Sequence, residues 1–175
     1  EWHHYTYVWE VSGNNVTVKL YKDATKLTDT TYTTGYLGTY GSGFLLGSYA
    51  PSSNFYDGLA DEIKIYKYIR TSGQIIEYMN AGHAIGGSPV GTQVAYWHLD
   101  ETQGTTANDI SPNANSLTLS AASWTTSGKF TSAWNGTGAL WLSRADDADF
   151  DFAAADDFSI SLWFKSDSAT NPGAI

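Results

Sequence analysis

Period-two alternation is the feature that most restricts this chain. Phe158, Ile160, Leu162 and Phe164 alternate with Ser159, Ser161, Trp163 and Lys165, a spacing that puts one set of side chains on each face of a β-strand. His3, Tyr5, Tyr7 and Trp9 alternate in the same way with His4, Thr6, Val8 and Glu10. Val16, Val18 and Leu20 alternate with Thr17, Lys19 and Tyr21. Ser12-Gly-Asn-Asn15 between the last two runs is a turn signal, so the opening residues read as a hairpin with one buried face. Ile63, Ile65, Lys67 and Ile69 share a strand face opposite Lys64, Tyr66 and Tyr68. Further short strands are predicted near 30–33, 43–48, 94–99, 117–124 and 139–142. One short helix interrupts the pattern. Thr71 and Gln74 have capping-box spacing, Ile75, Ile76 and Met79 supply an apolar stripe, and Gly82 can stop it. Many short strands divided by turns describe an all-β antiparallel sandwich or jelly roll.

Composition narrows the function. Only 15% of residues are charged, and aromatic residues are as frequent, which suits pleated, half-buried surfaces and argues against disorder. The formal net charge is −9 with nine Lys and Arg. A nucleic-acid partner needs a cationic stripe, and none is present. The chain has no cysteine, which removes disulfides, thiolate metal sites and cysteine nucleophiles. No apolar run is long enough to span a bilayer.

Several segments together resemble the laminin G-like, concanavalin A-like jelly-roll family. Ala95-Tyr-Trp-His-Leu-Asp-Glu101 leads into Asp109-Ile-Ser-Pro-Asn-Ala-Asn115, followed by Trp134-Asn-Gly136 and Phe158-Ser-Ile-Ser-Leu-Trp-Phe-Lys165. These are similar to the family's opening half. Glu1-Trp-His-His4, Leu20-Tyr-Lys-Asp-Ala24 and Gly58-Leu-Ala-Asp-Glu-Ile-Lys-Ile-Tyr66, with the helix at 71–81, are similar to its closing half. The resemblance implies an all-β jelly-roll sandwich with one short helix.

The closing half precedes the opening half. Residues 1–82 are therefore expected to close one sandwich, 83–93 to be a linker and 94–175 to open a second. A circular permutation would retain the family's middle strands, which are missing after Ile175, so a window on a tandem array is the expected origin. Self-completion within the chain is the other arrangement. Half a sandwich leaves unpaired edges and an open apolar face, so each half needs a complement.

Asp109, Ser111, Asn113 and Asn115 place oxygen ligands at every second position of a turn-rich loop, a pattern that suits a hard cation such as Ca²⁺. The resemblance implies a structural calcium near this loop, with Asp61 of the closing half as its acidic partner. The alternative is an ordinary Asx-turn loop. Tyr36, Tyr40, Tyr49 and Tyr56 lie in or beside Gly/Ser-rich stretches and are candidates for a sugar-stacking platform, while Trp2, Trp9, Trp97, Trp134 and Trp163 are expected in the core. His3 and His4 are neighbours on a strand and point to opposite faces, so they cannot share a metal. Adjacent acidic pairs such as Asp61-Glu62 diverge for the same reason, and the chain is not expected to be an enzyme.

The expected role is a non-catalytic extracellular or cell-surface repeat for adhesion or self-assembly, with neighbouring copies or adjacent repeats as partners. The alternative is a carbohydrate-binding, lectin-like module, attached to a glycan-active enzyme or alone, with glycans as partners.

Overall fold

The computed structural model describes residues 1–33, 44–50, 53–81, 93–153 and 155–166. In chain order the strands are β1 (His3–Ser12), β2 (Asn15–Lys22), β3 (Thr25–Thr33), β4 (Phe44–Leu46), β5 (Ser48–Ala50), β6 (Ser53–Phe55) and β7 (Gly58–Tyr66). Helix α1 (Ser72–Ala81) follows. Then come β8 (Gln93–Trp97), β9 (Thr106–Ala107), β10 (Leu117–Leu119), β11 (Trp124–Thr125), β12 (Ala133–Asn135), β13 (Leu142–Arg144) and β14 (Phe158–Ser166). The first sheet runs β11-β12-β7-β14-β1-β2-β3, with β8 also paired to β7; the second runs β4-β13-β10-β9. The pairings are antiparallel. This is an all-β sandwich with one helix.

The core lies between the sheets. Ile63, Ile65, Trp97, Leu162 and Phe164 of the first sheet meet Leu46, Leu117, Leu119 and Leu142 of the second. Burying each such side chain is worth about 1.5–3 kcal/mol relative to leaving it in water. The Trp97 indole N–H donates to the Asn115 carbonyl at 2.9 Å, so the largest buried ring keeps its polar atom satisfied. Trp134 sits between two glycines. A Cβ on Gly47 would fall 2.6 Å, and one on Gly136 2.7 Å, from its ring.

Strands from both halves share both sheets. β1 pairs with β14 over seven positions, from His3↔Phe164 to Trp9↔Phe158. β7 pairs with β14, β8 and β12, and β4 pairs with β13. Within this chain, then, described strands from residues 1–82 pair with strands from residues 94–175 in both sheets. Gln93, expected in the linker, already belongs to β8, and residues 83–92 lie outside the described residues. The strand expected at 139–142 begins only at Leu142, because a turn with Gly138 at φ +76° takes up the preceding residues.

The capping box forms as its spacing predicts. Thr71 N–H donates to Gln74 Oε1 (3.0 Å), and Gln74 N–H donates to Thr71 Oγ1 (3.3 Å). The buried stripe differs from expectation: Ile75 and Tyr78 are buried, while Ile76 is exposed. Ile75 packs on Val8 and Tyr21, which seats α1 on the outer face of the first sheet. All nine residues of β7 are consequently buried, on one face by the second sheet and on the other beneath α1.

Candidate functional site

Three places carry polar chemistry. The first is the Asp109 loop. Asp109 Oδ1 accepts from the N–H groups of Tyr96 and Ser111, both at 2.8 Å. Its Oδ2 accepts from Ser111 Oγ (2.6 Å) and Asn115 N–H (2.7 Å). Asn113 Nδ2 donates to the Val94 carbonyl (2.9 Å), and Asn115 Nδ2 donates to the same carbonyl (3.1 Å) and to Asp149 Oδ2 (3.0 Å). The structure thus gathers Asp109, Ser111, Asn113 and Asn115, but as an Asx-type knot that ties the loop to β8. The carboxylate is filled by four donors, and the two amides turn N–H groups inward. A hard cation needs oxygens there, so as arranged this donor set does not fit one.

Asp61 does not join that loop, a correction to the expected calcium set. Its Oδ2 accepts the N–H groups of Lys129 (2.8 Å) and Phe130 (3.3 Å), and Asp100 Oδ1 accepts that of Ser132 (2.8 Å). Burial pushes the Asp61 carboxyl up to about 7, against the pull of those two N–H groups and with the help of Glu62 and Asp100. The reason for its position is register: Asp61 is the Cα partner of Trp163 on β14 and faces the 128–132 turn. Among the described residues, no group of three His, Asp or Glu is placed to hold a metal ion.

The second place is a depression of about 260 Å³ bordered by Glu1, His3, Tyr5, Lys22, Tyr56, Phe164 and Ser166. His3 Nδ1 is held by Asp23 Oδ2 at 2.7 Å, and the Lys22 ammonium lies 5.9 Å from the centre of the Tyr5 ring. Of the expected tyrosine platform, Tyr36, Tyr40 and the side chain of Tyr49 lie outside the described residues. Tyr56 is corrected. It is 1% exposed, its ring meets Phe164 edge-on at 4.0 Å and its hydroxyl donates to the Leu59 carbonyl at 3.3 Å. It walls the depression as a core residue. Tyr5, which the core-facing side of β1 presents, is the aromatic ring that sequence reading did not single out.

The third place, also not anticipated, is a charged cluster under α1. Glu62 and Lys64 project from the outer face of β7 and are 3% and 2% exposed. Glu62 Oε2 accepts from Tyr96 Oη (2.6 Å), from Tyr78 Oη (3.4 Å) and from Lys64 Nζ (3.5 Å), while Oε1 is bonded by His98 Nδ1. The Lys64 ammonium is clamped between the Tyr78 and Tyr96 rings, 3.6 and 3.4 Å from their centres. Burial acts to raise Glu62, but the His98 and Tyr96 bonds outweigh it and hold the carboxyl below its ordinary value. Burial pushes Lys64 down to about 7, against the attraction of Glu62. The bond to Glu62 raises His98 despite its partial burial. Glu62 itself has φ +53°, beside the register shift where β7 pairs Ser161 and Trp163 of β14. That left-handed turn costs roughly 1–2 kcal/mol in a non-glycine residue and aims its carboxylate into the cluster. The signal in the sequence was the helix after Tyr66. A short helix must cover some sheet face, and that face carries Glu62 and Lys64.

The strand order places the Gly58–Tyr66 run at the centre of the first sheet, hydrogen-bonded to the His3–Ser12 strand's own partner β14. Residues 1–76 match the family model described as the concanavalin A-like lectin/glucanases superfamily, of laminin G type. No curated protein and no solved structure matches the chain. Most of the depression's lining, and Glu62 and Lys64 of the cluster, fall within the matched segment; the Asp109 loop falls outside it. No described helix is long and apolar enough to cross a membrane.

Proposed function

We propose that this chain is a non-catalytic module of an extracellular surface or filament-forming protein, and that its copies join by exchanging half-sandwiches. The observation that carries this reading is the seven-position pairing of β1 with β14. It joins a closing half to an opening half through main-chain bonds that do not depend on which chain supplies each half. The same contacts form when residues 1–82 of one copy meet residues 94–175 of another. Such an exchange is head-to-tail, and head-to-tail contacts generate rings or open filaments. Strand complementation of this kind draws its affinity from backbone hydrogen bonds and its register from alternate side chains.

The chain contains no cysteine, which gives a clean test. Thr6 and Ser161 are paired across β1 and β14, with hydroxyls 3.2 Å apart. Thr6→Cys chains and Ser161→Cys chains are mixed at high concentration and oxidised. Exchange yields a covalent pair at twice the chain mass on a denaturing gel; a product of single chains alone overturns the proposal.

A carbohydrate-binding role is the second reading, supported by the depression beside Tyr5, where an aromatic ring lies next to His3, Lys22 and Ser166. Retention on a glycan array that Tyr5→Ala abolishes supports this site. Loss on Tyr36→Ala or Tyr40→Ala instead moves binding to the 34–43 stretch, and no retention of any glycan rejects the reading.

A further inference from the structure

His4 is fully buried on the outer face of β1. Its Nε2 lies 2.8 Å from Ser161 Oγ, and among the described residues its Nδ1 has no hydrogen-bond partner. Its ring lies 6.2 Å from Tyr78 of α1 and 5.1 Å from Trp163 of β14. Four charged groups act on it. Asp23, after β2, attracts a proton to it, while Lys64 of β7, Arg70 before α1 and Lys129 of the 128–132 turn repel one. All three cations are fixed. Lys64 is clamped on Tyr78. The Arg70 guanidinium lies 4.6 Å over Tyr66 and donates to the Gln74 carbonyl in the first turn of α1 (3.0 Å). Lys129 lies 4.0 Å over Trp163. Glu62, Asp61, Tyr66, Tyr96 and His98 are further titratable groups on the sheet side, with Tyr21 opposite Thr6 and the Lys19–Glu10 pair further along β1 and β2, and Glu77 is the one acidic residue of α1.

We propose that His4 is a proton-operated release for α1: when its imidazole takes up a proton, the helix leaves the outer face of the sheet. In the docked state an imidazolium would be buried between two aromatic rings and three cations, with Nδ1–H unbonded. In the released state it is hydrated. Burial, chiefly, and then the cations hold the docked ring down to about 4 from an ordinary 6.5. A lowered value means docking is favoured fully above about pH 6.5 and loses that support as pH falls toward about 4. Release also hydrates the Lys64 ammonium. A ten-residue helix without tertiary packing does not persist in water, so release is read directly as lost amide protection over 72–81.

The test is hydrogen exchange of the full chain, corrected for intrinsic rates, at pH 7 and pH 5. The expected result is a loss of protection in α1 on the order of tenfold, while β1 and β14 keep theirs and His4→Phe removes the change. Equal protection of α1 at both pH values overturns the proposal. So does parallel loss across the sheet, loss confined to the 128–132 turn, or pH-dependent loss that persists in His4→Phe. If His4→Phe fails to fold, an NMR titration of the unaltered chain decides. His4 stays neutral at pH 5.5 in molecules with α1 docked, and an ordinary titration near 6.5 with the helix in place refutes the mechanism.

Discussion

Removing Glu62 should damage this protein far more than removing Lys64, although the two form one buried pair. Burial moves the Lys64 ammonium from 10.5 to about 7, a burden of about 5 kcal/mol on its charged form. That burden is what remains after the attraction of Glu62 at 3.5 Å, so losing Glu62 deepens it, while the two flanking rings hold the ammonium in place. Glu62→Gln deletes the carboxylate that contacts Lys64, Tyr78, Tyr96 and His98. It leaves Lys64 without its counter-charge and His98 without the bond that raises it, both facing a neutral amide under α1. Breaking a buried pair this way costs about 3–5 kcal/mol, or on the order of 10 °C in melting temperature for a chain of this size. Lys64→Met keeps the stem's volume and leaves Glu62 with His98 and two hydroxyl donors. It loses the ring contacts but no longer buries an ammonium, so its net cost is about 0–2 kcal/mol. The double variant removes the stranded charge and should match Lys64→Met more nearly than Glu62→Gln. Urea unfolding at pH 7, followed by tryptophan fluorescence, measures all four corners of the cycle. A Glu62→Gln cost below about 1 kcal/mol, or a double variant less stable than Glu62→Gln alone, would refute the reasoning.

Three further outcomes are expected. The bond to Glu62 raises His98 above its unfolded value, so its contribution is complete below about pH 6.5 and fades as pH rises through the folded value; wild type should exceed His98→Asn by more at pH 6 than at pH 9, and equal gaps in urea unfolding would contradict this. Gly47 has φ +84°, and a Cβ there lies 2.6 Å from Trp134, so Gly47→Ala should destabilise by at least about 1 kcal/mol, visible as a lower urea midpoint at unchanged slope. The Asp109 carboxylate is already filled by protein donors, so EDTA should leave the melting temperature unchanged; a fall of several degrees would restore calcium to the Asp109 loop, because a ligand bound only to the native state stabilises it.

The alternation of Phe158 to Phe164, the hairpin through Ser12–Asn15 and the Thr71–Gln74 box are local patterns, and each survives in the fold because its cause is local. Periodicity says that a strand has two faces; it does not say what covers them. Lys64 and Ile65 are neighbours in a strand, and only the seating of α1 on one face and the second sheet on the other makes both inaccessible. Tyr56 stands beside Gly/Ser-rich residues, which suggests exposure, yet Phe164 reaches it across 108 positions of chain and makes it core. Asp61 and Asp109 each read as ligands in their own segment; register with Trp163 sends one to the 128–132 turn, and hydrogen bonds to Tyr96, Ser111 and Asn115 occupy the other. The sequence by itself determined where strand, turn and helix patterns lie, and with them the all-β class. Tertiary structure decided which halves met and which polar side chains were enclosed, because burial depends on contacts between distant residues that no local spacing records.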